Sequence, residues 1–223
     1  AQSLYPTPGF ENSAAGYEAF QETLAPADAL VISEAMVANT KTYSDGTFGY
    51  CDWVELKNIS DSTLSLSGYY LSDSLKDLGK YALPDSTLAP GETFIILCGA
   101  ESGTGANNLA SFSLDSSCEQ LYLSRGEEIV DFAALRDIPY ECSFGRMDGE
   151  NGWFYFAQPS PGKANTNGAR RVSAKPVNLT PDGVFDGVDS VTVELSGSGT
   201  VRYTLDGSTP TERSPEYKEA LTI

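Results

Sequence analysis

Turn-forming residues cut the chain into short runs of β-branched and aromatic side chains, a pattern that admits many strands and leaves no room for long helices. The runs are Val31 to Met36, Trp53 to Leu56, Phe94 to Cys98, Leu121 to Leu123, Ile129 to Phe132, Trp153 to Phe156, Val191 to Leu195 and Val201 to Leu205. Between them stand Ser44-Asp45-Gly46, Ala89-Pro90-Gly91, Asp148-Gly149, Ser196-Gly197-Ser198-Gly199 and Asp206-Gly207. Strands at this spacing predict an all-β chain of sandwiches. The exception is Ser13 to Leu24, where Ser13 can cap a first turn and Tyr17, Phe20 and Leu24 recur at helical spacing. A short N-terminal amphipathic helix is expected there.

Composition decides which chemistry such a scaffold could carry. The 223 residues include no histidine, and 14 Lys+Arg against 31 Asp+Glu leave a net charge of −17. Without imidazole there is no Ser-His-Asp or Cys-His nucleophile and no HExxH zinc site. The acidic surface repels phosphate backbones, which argues against nucleic acid as a partner. No run approaches the roughly 18 apolar residues of a bilayer span, so no membrane insertion is expected in this segment. Cys51, Cys98, Cys118 and Cys142 are too far apart for paired zinc knuckles. Two disulfides of an exported protein and four buried thiols remain open alternatives.

A repeat bears on domain organisation. Pro6-Thr7-Pro8-Gly9-Phe10-Glu11-Asn12 matches Pro159-Ser160-Pro161-Gly162-Lys163-Ala164-Asn165 in a P-[ST]-P-G-x-x-N pattern. Two copies predict two domain ends, so residues 1–27 are expected to hold the end of a preceding unit and a short helical linker. A first sandwich is then expected over 28–166, a polar linker over 167–172, and a small sandwich over 173–223 that stops short of its last strands.

The blocks Val31-Ile32-Ser33-Glu34-Ala35-Met36, Asp52-Trp53-Val54-Glu55-Leu56-Lys57-Asn58 and Leu66-Ser67-Gly68-Tyr69-Tyr70-Leu71-Ser72-Asp73 carry a resemblance to the lamin-tail domain. It continues through Leu88-Ala89-Pro90-Gly91-Glu92, Val130-Asp131, Ser143-Phe144-Gly145-Arg146 and Pro159-Ser160-Pro161-Gly162. The segment Val201-Arg202-Tyr203-Thr204-Leu205-Asp206-Gly207-Ser208-Thr209-Pro210-Thr211 resembles the C-terminal domain of chitobiase and β-hexosaminidase-type enzymes. The resemblances imply two immunoglobulin-like sandwiches in tandem. They also imply an extracellular or cell-surface location in a bacterium, as modules beside hydrolases or CotH-kinase-like domains. The partners expected are other domains of the same polypeptide and a glycan or surface protein. The lamin tails' link to chromatin does not carry over to so acidic a chain.

Alternation places Trp53 and Glu55 on one face of their strand and Asp52, Val54 and Leu56 on the other. The indole can anchor a core, Glu55 needs a partner, and Arg146 is the candidate. Asp52 and Glu55 point apart, so they cannot flank one glycosidic bond, and no enzyme activity is expected. Asp206-Gly207 after Tyr203 reads as a hairpin corner. Calcium is the one cofactor considered, with Asp182, Asp186 and Asp189 in a Gly-punctuated loop and Asp148, Glu150 and Asn151 in another; neither loop has EF-hand spacing. Tyr69, Tyr70, Trp153 and Tyr155 are candidates for stacking on sugar rings, although alternation puts at least one pair of the Trp153 to Phe156 run in the core.

Overall fold

A computed structural model describes residues 9–24, 26, 28–99, 108–115, 118–173, 176–197, 199–208, 210, 211 and 213–223, with the side chains of residues 118 and 119 excepted. The chain divides into two compact units, Ala1–Arg171 and Val172–Ile223.

Helix α1 (Ala14–Gln21) opens the first unit, with Ser13 as its cap accepting a hydrogen bond from Gly16 N at 3.0 Å. The strands follow as β1 (Leu30–Met36), β2 (Asp52–Asn58), β3 (Leu64–Ser65), β4 (Tyr69–Ser72), β5 (Tyr81–Ala82) and β6 (Thr87–Leu88). Next come β7 (Thr93–Cys98), β8 (Leu109–Ala110), β9 (Cys118–Arg125), β10 (Glu128–Arg136), β11 (Ser143–Gly145) and β12 (Phe154–Phe156). One sheet runs β12-β11-β1-β2-β7-β8, antiparallel except for the last pair, and a second runs β10-β9-β4-β5. This is a two-sheet sandwich. Ile32, Ala35, Val54, Leu56 and Ile96 of the first sheet, and Leu71, Leu121, Leu123, Ala133 and Leu135 of the second, fill its interior.

The larger sheet is buried on its other face as well. Met36, Trp53 and Leu97 form a second apolar cluster there, covered by Tyr43 and Phe48 of the β1–β2 connection and by Cys51, Ile95 and Leu109. Tyr43 meets Trp53 edge-on with ring centroids 6.2 Å apart. Asp52 fastens the start of that connection by accepting from Ala38 N at 2.7 Å.

Two expectations for the chain's organisation change. The helix is no linker: Gln21 is buried and its Oε1 accepts from Trp153 N at 2.7 Å, while Arg171 reaches back to Glu18. The polar stretch at 167–172 is mostly bonded into the first unit, where Ala169 exchanges backbone hydrogen bonds with Tyr155. The two-disulfide framework is not formed, because Cys51 and Cys142 are free thiols. The Cys118 side chain lies outside the described residues.

The second unit contains two-stranded pairings, β13 (Val177–Asn178) with β15 (Leu195–Ser196) and β14 (Thr192–Val193) with β16 (Leu221–Thr222). The run expected as a strand at Val201 to Leu205 makes a single bridge, Arg202 to Glu216. The Asp206-Gly207 corner is present: Gly207 has φ +77° and Asp206 accepts from Ser208 N at 3.0 Å. Among the described residues of this unit only Val201 is buried, while Val177, Leu179, Val184, Phe185, Val188 and Leu205 are exposed. So little buried area contributes little hydrophobic stabilisation. Calorimetry of the chain should therefore resolve two transitions, the lower one lost on deleting 172–223; a single transition at every pH would contradict this.

Candidate functional site: two buried glutamates beneath a proline-glycine loop

The largest departure from regular pairing in the main sheet is at Ser33, where the β1–β2 register shifts between Ile32 and Glu34. A bulge redirects backbone groups out of the ladder. Ile32 N donates to Asp131 Oδ2 on β10 at 2.8 Å, joining the two sheets through a side chain. Ser33 O accepts from Arg146 N at 2.7 Å and from Asn165 Nδ2 at 3.1 Å. Gly145, next along β11, passes so close that a Cβ on it would lie 2.3 Å from Ser33 O and 2.8 Å from Glu34 Cα.

Because of the shift, Glu34 becomes the cross-strand partner of Glu55. Both are completely buried, at 0 % exposure. Charged groups in such a place must be fully hydrogen-bonded or neutral. Glu34 accepts from the Ser143 hydroxyl and from Ser160 N at 3.1 Å. Glu55 accepts from the Ser33 hydroxyl, from Gly162 N at 2.5 Å and from the Thr93 side chain. The donors Ser160 and Gly162 belong to the Pro159 to Asn165 segment, the second copy of the repeated motif. Within it Lys163 N closes a turn on Ser160 O, and Ser160 Oγ donates to Asn165 Oδ1. Asn165 Nδ2 also reaches Arg146 O at 2.9 Å. The loop is thus clasped to the outer face of the sheet by two carboxylates and one amide.

Burial pushes the Glu34 carboxyl up to about 7, against the opposing pull of its hydrogen bonds from Ser143 and Ser160, and the neighbouring Glu55 adds to the rise. Glu55 is raised for the same first reason, burial. A dyad of this kind could move a proton if a substrate reached it. None can reach it here, since neither side chain is exposed.

The expected partner of Glu55 is corrected. Arg146 pairs with Asp131, Nη2 to Oδ1 at 2.6 Å, and its guanidinium lies 4.1 Å from the centroid of the Trp153 ring. Three hydroxyls, of Ser33, Thr93 and Ser143, and two main-chain N–H groups of the loop, of Ser160 and Gly162, claim the glutamates instead. Glu34, Ser143 and Asn165 were not singled out from sequence. The available signal was Asn165 itself, identical in both motif copies, and the Ser33-Glu34 pair within an otherwise apolar run.

The stacking candidates separate. Trp153 and Tyr155 are 7 % exposed and pack with Phe144, Trp153 stacked at 5.3 Å and Tyr155 tilted at 4.8 Å. Tyr69 is 2 % exposed and faces inward beneath Arg125. Tyr70 alone is half-buried on the outward face of β4. On that same face Tyr122 of β9 and Phe132 of β10 are cross-strand partners with centroids 5.3 Å apart, and Phe132 is 40 % exposed.

The calcium loops do not assemble. Among the described residues no three acidic or thiol groups converge to hold a metal. Asp182 accepts from Asn178, Asp148 pairs with Lys57 at 2.6 Å, and Glu150 lies 3.7 Å from Arg170.

An antiparallel two-sheet sandwich with a bulged strand and a loop-covered outer face defines an immunoglobulin-like domain. The family model described as Lamin Tail Domain matches residues 23–135, just over half of the chain, and the chain belongs to that family. The Chitobiase/beta-hexosaminidase C-terminal domain model matches residues 180–223. No curated protein matches the chain. The first match ends before β11, yet β11, β12 and the motif loop complete the same sheet and its clasp.

The clasp makes stability depend on pH in a definite direction. With Glu34 at about 7 in the fold against an ordinary 4.5, the folded protein keeps a proton that the unfolded chain releases. Its contribution is therefore full below about pH 4.5 and declines as pH rises to about 7, by about 3 kcal/mol at the limit. Glu34→Gln should flatten that decline and unfold at higher temperature than the parent at pH 7.5; parallel pH curves for the two proteins would refute the assignment. Gly145→Ala, which pushes a methyl into the bulge, should cost about 3 kcal/mol in urea unfolding. Asn165→Ala, which strips a donor from two carbonyls, should cost about 1–3 kcal/mol.

Proposed function

We propose that the chain is a non-catalytic binding and spacing module of a larger exported or cell-surface bacterial protein. The observation that carries this reading is the sealed carboxylate pair. The carboxylate pair that the main sheet brings together is spent on holding a loop, with no exposed oxygen to meet a substrate. The absence of histidine and the net charge of −17 fit a surface kept soluble by repulsion rather than one that binds phosphate. No described helix is long and apolar enough to cross a membrane. Immunoglobulin-like modules of the two matched types are consistent with service beside other domains of one polypeptide.

A carbohydrate-binding accessory role is the second reading, favoured by the exposed ring of Phe132 and the half-buried Tyr70 on the outward face of the four-stranded sheet, with the buried Tyr122 ring packed beside Phe132. Exposed rings on a sheet offer an apolar surface to the faces of sugar rings. The two readings part in one pair of measurements. A screen of glycoside, ester and phosphate substrates should give no turnover that Glu55→Gln abolishes; such turnover would sink the non-catalytic reading. A glycan array should retain the parent and lose Phe132→Ala if the sheet face binds sugar, and should retain neither if the module serves through protein contacts.

A further inference from the structure

The clasped loop also bounds a cleft of about 610 Å3, together with Thr42 of the β1–β2 connection. Both parts of its lining are fixed through their backbones. The loop is held by Glu34, Glu55 and Asn165, and its exit is locked where Ala169 pairs with Tyr155. Just before that pairing Asn167 stands at φ +60°, and a Cβ on Gly168 would lie 2.6 Å from Phe154 Cβ. Thr42 is tied at two polar groups, its N–H donating to Asn39 Oδ1 at 3.1 Å and its hydroxyl to Glu141 Oε2 at 2.7 Å.

The side chains on this fixed frame are uncommitted. Those of Gln158, Lys163, Thr166 and Asn167 are exposed and make no hydrogen bond or ion pair among the described residues. Free polar groups on a backbone that is already ordered are what a preorganised loop site presents. The lining carries one cation and none of the chain's 31 Asp and Glu residues. Glu141 meets it only through Thr42, with Lys41 stabilising the Glu141 charge, and Glu34 and Glu55 are sealed beneath the loop. One cation suits one negative charge on a ligand, whereas a phosphate backbone needs a row of them. The two amides and the Thr166 hydroxyl both donate and accept, as sugar hydroxyls do. No aromatic ring lines the cleft to anchor a peptide side chain. We infer that this cleft binds a uronic-acid residue of an acidic saccharide, its carboxylate on Lys163 and its hydroxyls shared among Gln158, Thr166 and Asn167. The assignment rests on the reading of the chain as a binding module and places that role on a surface other than the Phe132 face.

Calorimetric titration of the full chain with the disaccharides of galacturonate, glucuronate and mannuronate tests it. At least one of these should bind, and the neutral disaccharide of the same sugar should not. Lys163→Gln should weaken that binding at least about tenfold, the loss expected for one charge-assisted hydrogen bond. Gln158→Ala should weaken it less, and Phe132→Ala should leave it unchanged. These side chains are exposed, so the variants should keep the parent's unfolding midpoint and the losses can be read as contacts. Equal binding of acidic and neutral sugars, or binding that survives Lys163→Gln, would overturn the inference; loss with Phe132→Ala instead would give the sugar to the sheet face. Failure of the folded parent to bind any of the acidic disaccharides would overturn it too, yet leave the non-catalytic reading standing, because the turnover screen tests that reading by itself.

Discussion

The first unit depends on one backbone irregularity, the bulge at Ser33. An extra residue in β1 releases Ile32 N to Asp131 on the opposite sheet and turns Ser33 O toward Arg146 N and Asn165. It also sets Glu34 across from Glu55. Without the register shift, alternation along β1 would keep Glu34 on the same side as Ile32, inside the sandwich. The bulge thus lets one strand supply the dry core, a bond between sheets and the acidic clasp.

Placing two carboxylates in a buried site is costly, and the surroundings show how the cost is met. Three hydroxyl-bearing side chains and two main-chain N–H groups converge on them, and burial leaves Glu34 protonated up to about pH 7. A hydrophobic pair would stabilise the sheet at least as well. What glutamates provide is direction: a loop with left-handed Gly162 and rigid prolines fits in one register, because its N–H groups have one place to go. Specific fastening of a loop, rather than stability as such, accounts for charges here.

Much of this was legible in the chain. The strand runs in the first unit, the Ser13 cap, the burial of Trp53 and the Asp206-Gly207 corner follow from local rules that tertiary contacts did not override. Short strands such as β3, β5, β6 and β8 carry too few residues for a periodic signal. The pairing of Arg146 with Asp131 rather than Glu55 was not legible, since the bulge decides it and no residue type announces a bulge at Ser33. Val201 to Leu205 reads as a strand from its β-branched and aromatic residues, yet finds only a bridge, because pairing needs a partner strand as well as propensity. Trp153 and Tyr155 look like sugar platforms in sequence; Phe144, supplied by the neighbouring strand β11, makes them core.

The contrast between the units then bears on what the acidic charge does. In the first, apolar side chains are closed over on both faces of the main sheet, and the uncompensated carboxylates left outside keep the surface hydrated. In the second, large apolar residues such as Val184 and Phe185 stand exposed among Asp182, Asp186 and Asp189. Interspersed charge of one sign opposes the approach of such side chains between copies of a chain. The aspartates that suggest a cation site in sequence stand spread along the loop, and among the described residues no three acidic groups converge on an ion.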